Sequence, residues 1–245
     1  MVHTISKIAQ RLNLDAGATH LPALILLTDE DQTPKPQEIA PKLPAGSAVV
    51  LRHYNSPRRK NLAHMLRSIC HTHTLLLIIA DDMQLASEVK ADGLHLPEYR
   101  LMSPTTDILR WHRSGQGILT GAIHSPRALQ QAQLLGVDAA FLSPVFNSAS
   151  HPNRHPLGLM RFTKLCRYAA IPVYALGGMD EITAKRMMIP PIVGVPFFKL
   201  WDSGPSDRIF SSIFLFFRYL IILGPITKLI KSAVMAAMEA RKVIY

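Results

Sequence analysis

Seven short apolar runs, each followed by a segment of helix length, constrain the fold of this chain more than any other feature. They are ALILLT (23–28), AVVLRH (48–53), LLLIIA (75–80), DGLHL (92–96), GILTGA (117–122), DAAFLS (138–143) and IPVYAL (171–176). Each is close to continuously hydrophobic, as the strands of a parallel sheet covered on both faces must be. Segments 58–72, 82–90, 103–114, 125–136, 158–169 and 180–188 fit helices between them. Ser125 before Pro126 marks a helix start, with a capping hydroxyl and a proline where no amide donor is needed. Strict strand–helix alternation gives an α/β fold with a parallel sheet. Seven strands before residue 180 of a 245-residue chain favour a closed (β/α)8 TIM barrel over a doubly wound sheet. The first strand also lacks the following Gly-x-Gly-x-x-Gly of a dinucleotide fold.

The alternation does not cover the whole chain. Ile5, Ile8 and Leu12 fall at helical spacing, so residues 1–20 read as an amphipathic helical extension, not a signal peptide. Residues 21–198 are the expected barrel, with IVGVPFF (192–198) as the candidate eighth strand, although Pro196 sits badly in a ladder. Residues 199–245 form an atypical apolar and basic segment that ends the barrel differently from its start. Within it, IFSSIFLFFRYLIIL (209–223) is short for a membrane span and is interrupted by Arg218. It reads as a final helix packed on the sheet or an irregular tail, in preference to a membrane contact made by IFLFF with Lys228, Lys231, Arg241 and Lys242.

A formal charge of +10 calls for an anionic partner: a phosphorylated metabolite, nucleic acid or a membrane surface. The cationic residues are scattered apart from Arg58-Arg59-Lys60, and few aromatics lie among them, which argues against nucleic acid. Cys70 and Cys166 are far apart, which excludes a disulfide framework and a cysteine zinc site and fits a reducing, cytoplasmic setting. His71 and His73, two residues apart, make no metal pair. The chemistry is expected between Asp138 and Met179. There two strands end in turn-forming clusters, at Ser143-Pro144 and Gly177-Gly178. Barrel enzymes work at that face, and glycine amides approach phosphate closely.

With the strands placed, a set of fragments resembles the thiamine-phosphate synthase and thiazole tautomerase superfamily over about residues 21–188. They are VVLRHY (49–54), LIIADD (77–82), ADGLHL (91–96), TGAIHS (120–125), LSPVFNSASHP (142–152), PLGL (156–159) and PVYALGGM (172–179), in that order and spacing. The resemblance implies a (β/α)8 barrel that binds phosphorylated thiamine precursors. In the synthase, a pyrimidine pyrophosphate loses pyrophosphate to magnesium, and a thiazole phosphate nitrogen captures the resulting cation. On this resemblance Arg52 matches a catalytic, phosphate-forking arginine. Asp81 matches a magnesium-binding aspartate, and Gly177 and Gly178 match a backbone phosphate cradle.

The departures are as informative. A glutamine and a lysine flanking the family arginine are Val50 and Tyr54 here, and the asparagine before the first aspartate is Ala80. The second magnesium aspartate falls at Arg100, which is either a fixed charge in the metal's place or a solvated residue. The strand-five serine is Ala122, and a Thr-x-Thr-Lys loop reads Ser148-Ala149-Ser150-His151. Both hydroxyls of that loop survive, so Ser148, Ser150 and His151 are phosphate-binding candidates. His124 matches the histidine that the tautomerase uses for proton transfer, a task suited to an imidazole titrating near neutrality. The leading expectation is a synthase using Mg2+. A tautomerase and a non-catalytic binder of thiamine-related phosphates are the alternatives, and a homo-oligomer stays open.

Overall fold

The computed structural model describes residues 2–15, 18–31, 33, 35–147, 155–178, 183 and 213–215. All seven expected strands form: β1 (Leu24–Leu27), β2 (Ala48–Leu51), β3 (Leu76–Ala80), β4 (Gly93–Leu96), β5 (Ile118–Ile123), β6 (Ala139–Leu142) and β7 (Val173–Ala175). Each of β1 to β6 pairs in parallel with its successor, so the sheet curls in chain order, as in TIM-like folds. The helices are α1 (Val2–Asp15), α2 (Pro36–Ile39), α3 (Arg59–Thr72), α4 (Met83–Glu88), α5 (Glu98–Met102), α6 (Thr106–Arg113), α7 (Pro126–Leu135) and α8 (Gly158–Tyr168). Among the described residues no helix is long and apolar enough to cross a membrane.

Local chemistry sets the boundaries. The α7 start is as expected: Ser125 Oγ accepts from the Ala128 amide at 3.1 Å, and Pro126 opens the first turn. The helix expected over 103–114 is shorter and is preceded by α5. Pro104 drives Ser103 out of helical geometry (φ −138°, ψ 69°) and separates the two. Asp82 caps α4 by accepting from the Leu85 amide at 2.9 Å, which frees its neighbour Asp81 from that task.

The last strand departs from expectation. Ile213–Leu215, inside the segment read as a final helix, is a strand (β8) lying antiparallel to β1, with Ile25 opposite Phe214. It meets β7 where Ala175 faces Leu215. The outer backbone groups of β1 and β7 need partners, and an Ile-Phe-Leu triplet has the β-propensity to supply them. The candidate strand 192–198 and, apart from Thr183, the helix expected over 180–188 lie outside the described residues. So does the rest of 199–245.

The barrel interior is apolar with a polar thread. Val50, Ile78, His95, Thr120, Phe141 and Tyr174 share the inner face by strand register and alternation. The His95 ring stacks on Phe141 at 4.7 Å, and Phe141 meets Tyr174 edge-on at 4.6 Å. His95 Nδ1 hydrogen-bonds Thr120 Oγ1 at 2.9 Å, and the Tyr174 hydroxyl donates to the Pro22 carbonyl at 2.8 Å. Aromatic contacts of this kind contribute about 0.5–1.5 kcal/mol each beyond the area they bury.

Burial pushes the His95 imidazole from 6.5 down to about 3, with the Arg52 charge adding to the shift, so the ring is neutral in the fold. Between those values the unfolded chain takes up a proton that the folded chain refuses. Stability present above pH 6.5 is therefore lost on acidification, by up to about 1.4 kcal/mol per pH unit. The stability difference between wild type and His95→Gln in urea should shrink between about pH 7 and about pH 5. A difference independent of pH would show that His95 is not the group responsible.

Candidate active site

The carboxy ends of the parallel strands carry a rim of charged side chains, each fixed by a neighbouring βα connection. After β1 and β2, Arg52 Nε donates to the Thr28 carbonyl at 3.0 Å, and Nη2 donates to Asp29 Oδ2 at 2.8 Å. The Arg52 amide donates to Thr28 Oγ1 at 3.2 Å. The same hydroxyl meets His53 Nδ1 at 2.8 Å. His53 is buried at φ +20°, and its Nε2 has no hydrogen-bond partner among the described residues. Desolvation lowers the pKa of this imidazole despite the nearby Glu30 and Asp29.

The end of β3 is held from two sides. Arg59 donates from Nη2 to the Ala80 carbonyl and from Nη1 to Asp82 Oδ2 at 3.2 Å, and its guanidinium lies 5.6 Å over the Tyr54 ring. Asp81, at φ +53°, accepts from Arg100 Nε at 2.8 Å on Oδ1 and from the Tyr99 hydroxyl on Oδ2. The hydrogen bond to Asp81 raises the Tyr99 phenol, and burial raises that of Tyr54.

These side chains do not fit the expected magnesium site. Both Asp81 oxygens are engaged by donors, and the position of a second carboxylate is a guanidinium. Among the described residues no three His, Cys, Asp or Glu side chains gather to hold an ion. A cation at Asp81 would share its carboxylate with the positive charge of Arg100. Asp81 follows β3, and its surroundings are not legible in the sequence because Tyr99 and Arg100 arrive from the next connection.

After β5, His124 Nδ1 hydrogen-bonds Glu98 Oε2, and Ser125 Oγ donates to Glu98 Oε1 at 3.2 Å. Glu98 was not among the sequence candidates; its only signal is its place just after Pro97 at the end of the fourth apolar run. Thr28, Asp29 and Tyr99 were likewise missed, and Arg59 stood out only as part of a basic triplet. Arg52, Asp81 and His124 thus lie along one rim, with Gly177 and Gly178 at the end of β7. Ser148, Ser150 and His151 lie outside the described residues.

The glycine pair has a steric requirement of its own. Gly178 sits at φ +64°, and a Cβ there would meet the Asn147 carbonyl oxygen at 2.1 Å. Gly177, at φ +93°, would meet Pro144 at 3.0 Å. The Phe146 amide donates to the Gly177 carbonyl at 3.0 Å, and that of Val145 to the Leu176 carbonyl at 2.8 Å, so the connections after β6 and β7 are laced together.

A family model for thiamine monophosphate synthase matches residues 24–195. The chain belongs to that family. It is 32% identical over 154 residues to a thiamine-phosphate synthase of Synechococcus sp. strain WH7803, covering 62% of this chain and 43% of that protein. It is also 32% identical over 123 residues to one of Prochlorococcus marinus strain MIT 9303, covering 50% of this chain and 34% of that protein. The chain thus spans less than half the length of these two curated relatives. In structure it is similar to a thiamine phosphate pyrophosphorylase from Pyrococcus furiosus, with a TM-score of 0.56 and 20% identity. That match covers 69% of this chain and 82% of the other, a likeness of fold.

For this member of the thiamine monophosphate synthase family, Gly178→Ala should cost about 1–3 kcal/mol in urea unfolding, because the backbone itself must give way. Gly177→Ala, opposed mainly by a proline ring, should cost less. Wild-type stability for Gly178→Ala would show that the two connections separate freely.

Proposed function

We propose that the chain makes thiamine phosphate, joining a hydroxymethylpyrimidine pyrophosphate to a thiazole phosphate with release of pyrophosphate. The bond from the pyrimidine methylene carbon to the pyrophosphate oxygen breaks, with both electrons leaving on oxygen. The thiazole nitrogen lone pair then forms the new carbon–nitrogen bond. The observation that carries this reading is Arg52, braced by Thr28 and Asp29 at a strand end of a thiamine monophosphate synthase family chain. A guanidinium fixed before the reaction stabilises charge developing on a departing oxyanion without reorganising. In this reading Gly177 and Gly178 cradle the thiazole phosphate, with Ser148, Ser150 and His151 as further contacts. The scaffold is an eight-stranded TIM-type barrel whose eighth place is filled by β8. The substrates are phosphorylated small molecules, and free, buried Cys70 and Cys166 suit a cytoplasmic setting.

One observation favours a second reading. The His124–Glu98 pair is built as an oriented general acid–base, with Glu98 holding one ring nitrogen while the other is left for a substrate. That is what a thiazole tautomerase needs.

One assay tests both readings: purified protein is given both synthase substrates and followed for thiamine phosphate, with tautomerase turnover measured alongside. Arg52→Ala should lower synthase turnover by about 100-fold or more while the protein stays folded. Unchanged turnover would remove Arg52 from the mechanism. His124→Gln should abolish tautomerase turnover, by about 100-fold or more, and lower synthase turnover only a few-fold. No product from wild type in either assay would leave the non-catalytic binder.

A further inference from the structure

At the end of β3 one guanidinium, Arg100, stands where the family resemblance calls for a metal-binding aspartate, and a second, Arg59, holds the same strand end. Arg59 holds Ala80 and Asp82, and Arg100 holds Asp81 between them, so three consecutive residues carry two cations. We propose that Arg59 and Arg100 form a diphosphate site that works without a divalent cation. The proposal rests on the synthase reading for its ligand, the pyrophosphate group of the pyrimidine substrate.

Four features carry it. Asp81 is a poor ligand for a cation, since both its oxygens accept from donors and one of those donors is positively charged. Arg100 spends only Nε on that pair, so the four N–H of its terminal amino groups remain in excess of it. Arg59 is held still by Asp82, the Ala80 carbonyl and the Tyr54 face, with its side chain 14% exposed. Its Nε–H is buried and has no acceptor among the described residues, so an anion that reaches it must displace part of that packing. Planar guanidinium forks match the paired oxygens of a diphosphate, and two of them supply the charge that one divalent ion would. Arg52, braced on the next strand end, faces the same rim.

The test is calorimetric titration of inorganic pyrophosphate into the full chain, first in excess chelator and then in magnesium. Saturable binding in chelator is expected, with Kd changed by less than about 3-fold when magnesium is added. Arg100→Gln and Arg59→Gln should each weaken that binding by about 10-fold or more, with Arg100→Lys and Arg59→Lys falling between variant and wild type. Arg100→Asp sets a second carboxylate beside Asp81 and should make binding require magnesium. Binding seen only with magnesium, or glutamine variants that bind as tightly as wild type, would overturn the proposal. The wild-type titration needs no variant, so a misfolded substitution leaves the test intact. Thiamine phosphate formation is followed in the same preparations to keep the two readings apart. Pyrophosphate binding in chelator without any product refutes the synthase and leaves the arginine site standing. Product and pyrophosphate binding that both require magnesium refute the arginine site and leave the synthase.

Discussion

A curled sheet whose strands run only three to six residues has little backbone ladder to hold its shape, so its filling carries much of that burden. Here the filling is a continuous run of side chains: Thr120 to His95, His95 to Phe141, Phe141 to Tyr174, and Tyr174 to the Pro22 carbonyl. That run touches β4 to β7 and returns to the residue pair before β1. It places polar atoms inside without leaving its hydroxyls unpaired, and burial keeps its one imidazole neutral. The ends of β4 to β7 are positioned from within by this run and by the apolar residues around it.

The rim built on those ends follows a simple rule. Each polar group reaches sideways to the neighbouring connection: Arg52 to Asp29, Arg59 to Asp82, Arg100 to Asp81 and His124 to Glu98. Partly exposed pairs of this kind contribute about 0–1 kcal/mol each to stability. Their larger effect is to fix direction, since an arginine held by one or two of its nitrogens presents the others at a set angle. Orientation of charge, more than charge alone, is what this rim supplies.

How much of this was legible in the sequence depends on range. The strands were legible because parallel strands buried on both faces leave an unbroken apolar trace, and Ser125-Pro126 announced α7 through purely local chemistry. The second run was read two residues too long, because Arg52 and His53 turn out of the ladder to meet Thr28. The helix expected over 209–223 failed at β8, whose partner β1 lies near the other end of the chain. The same limit governs the site. Arg52, Asp81 and His124 stood out through resemblance, but what each one touches comes from the neighbouring connection: 23 residues away for Arg52 and Asp29, 26 for His124 and Glu98. No periodicity or spacing rule reaches that far, so positions were readable while environments were not.

The lacing of the connection after β6 has a consequence for how such a protein changes over generations. Pro144 and Val145 are tied to the start of α8 through the Leu157 and Gly158 amides, and Val145 and Phe146 are tied to the end of β7. The stretch that begins after Asn147 is therefore anchored on both sides by backbone bonds that do not depend on its own side chains. Loop closure entropy grows only slowly with length, so residues can be exchanged, added or removed there at small thermodynamic cost. A lineage can thus change residues in this stretch without renegotiating the barrel. The Thr-x-Thr-Lys to Ser-Ala-Ser-His exchange falls in this stretch.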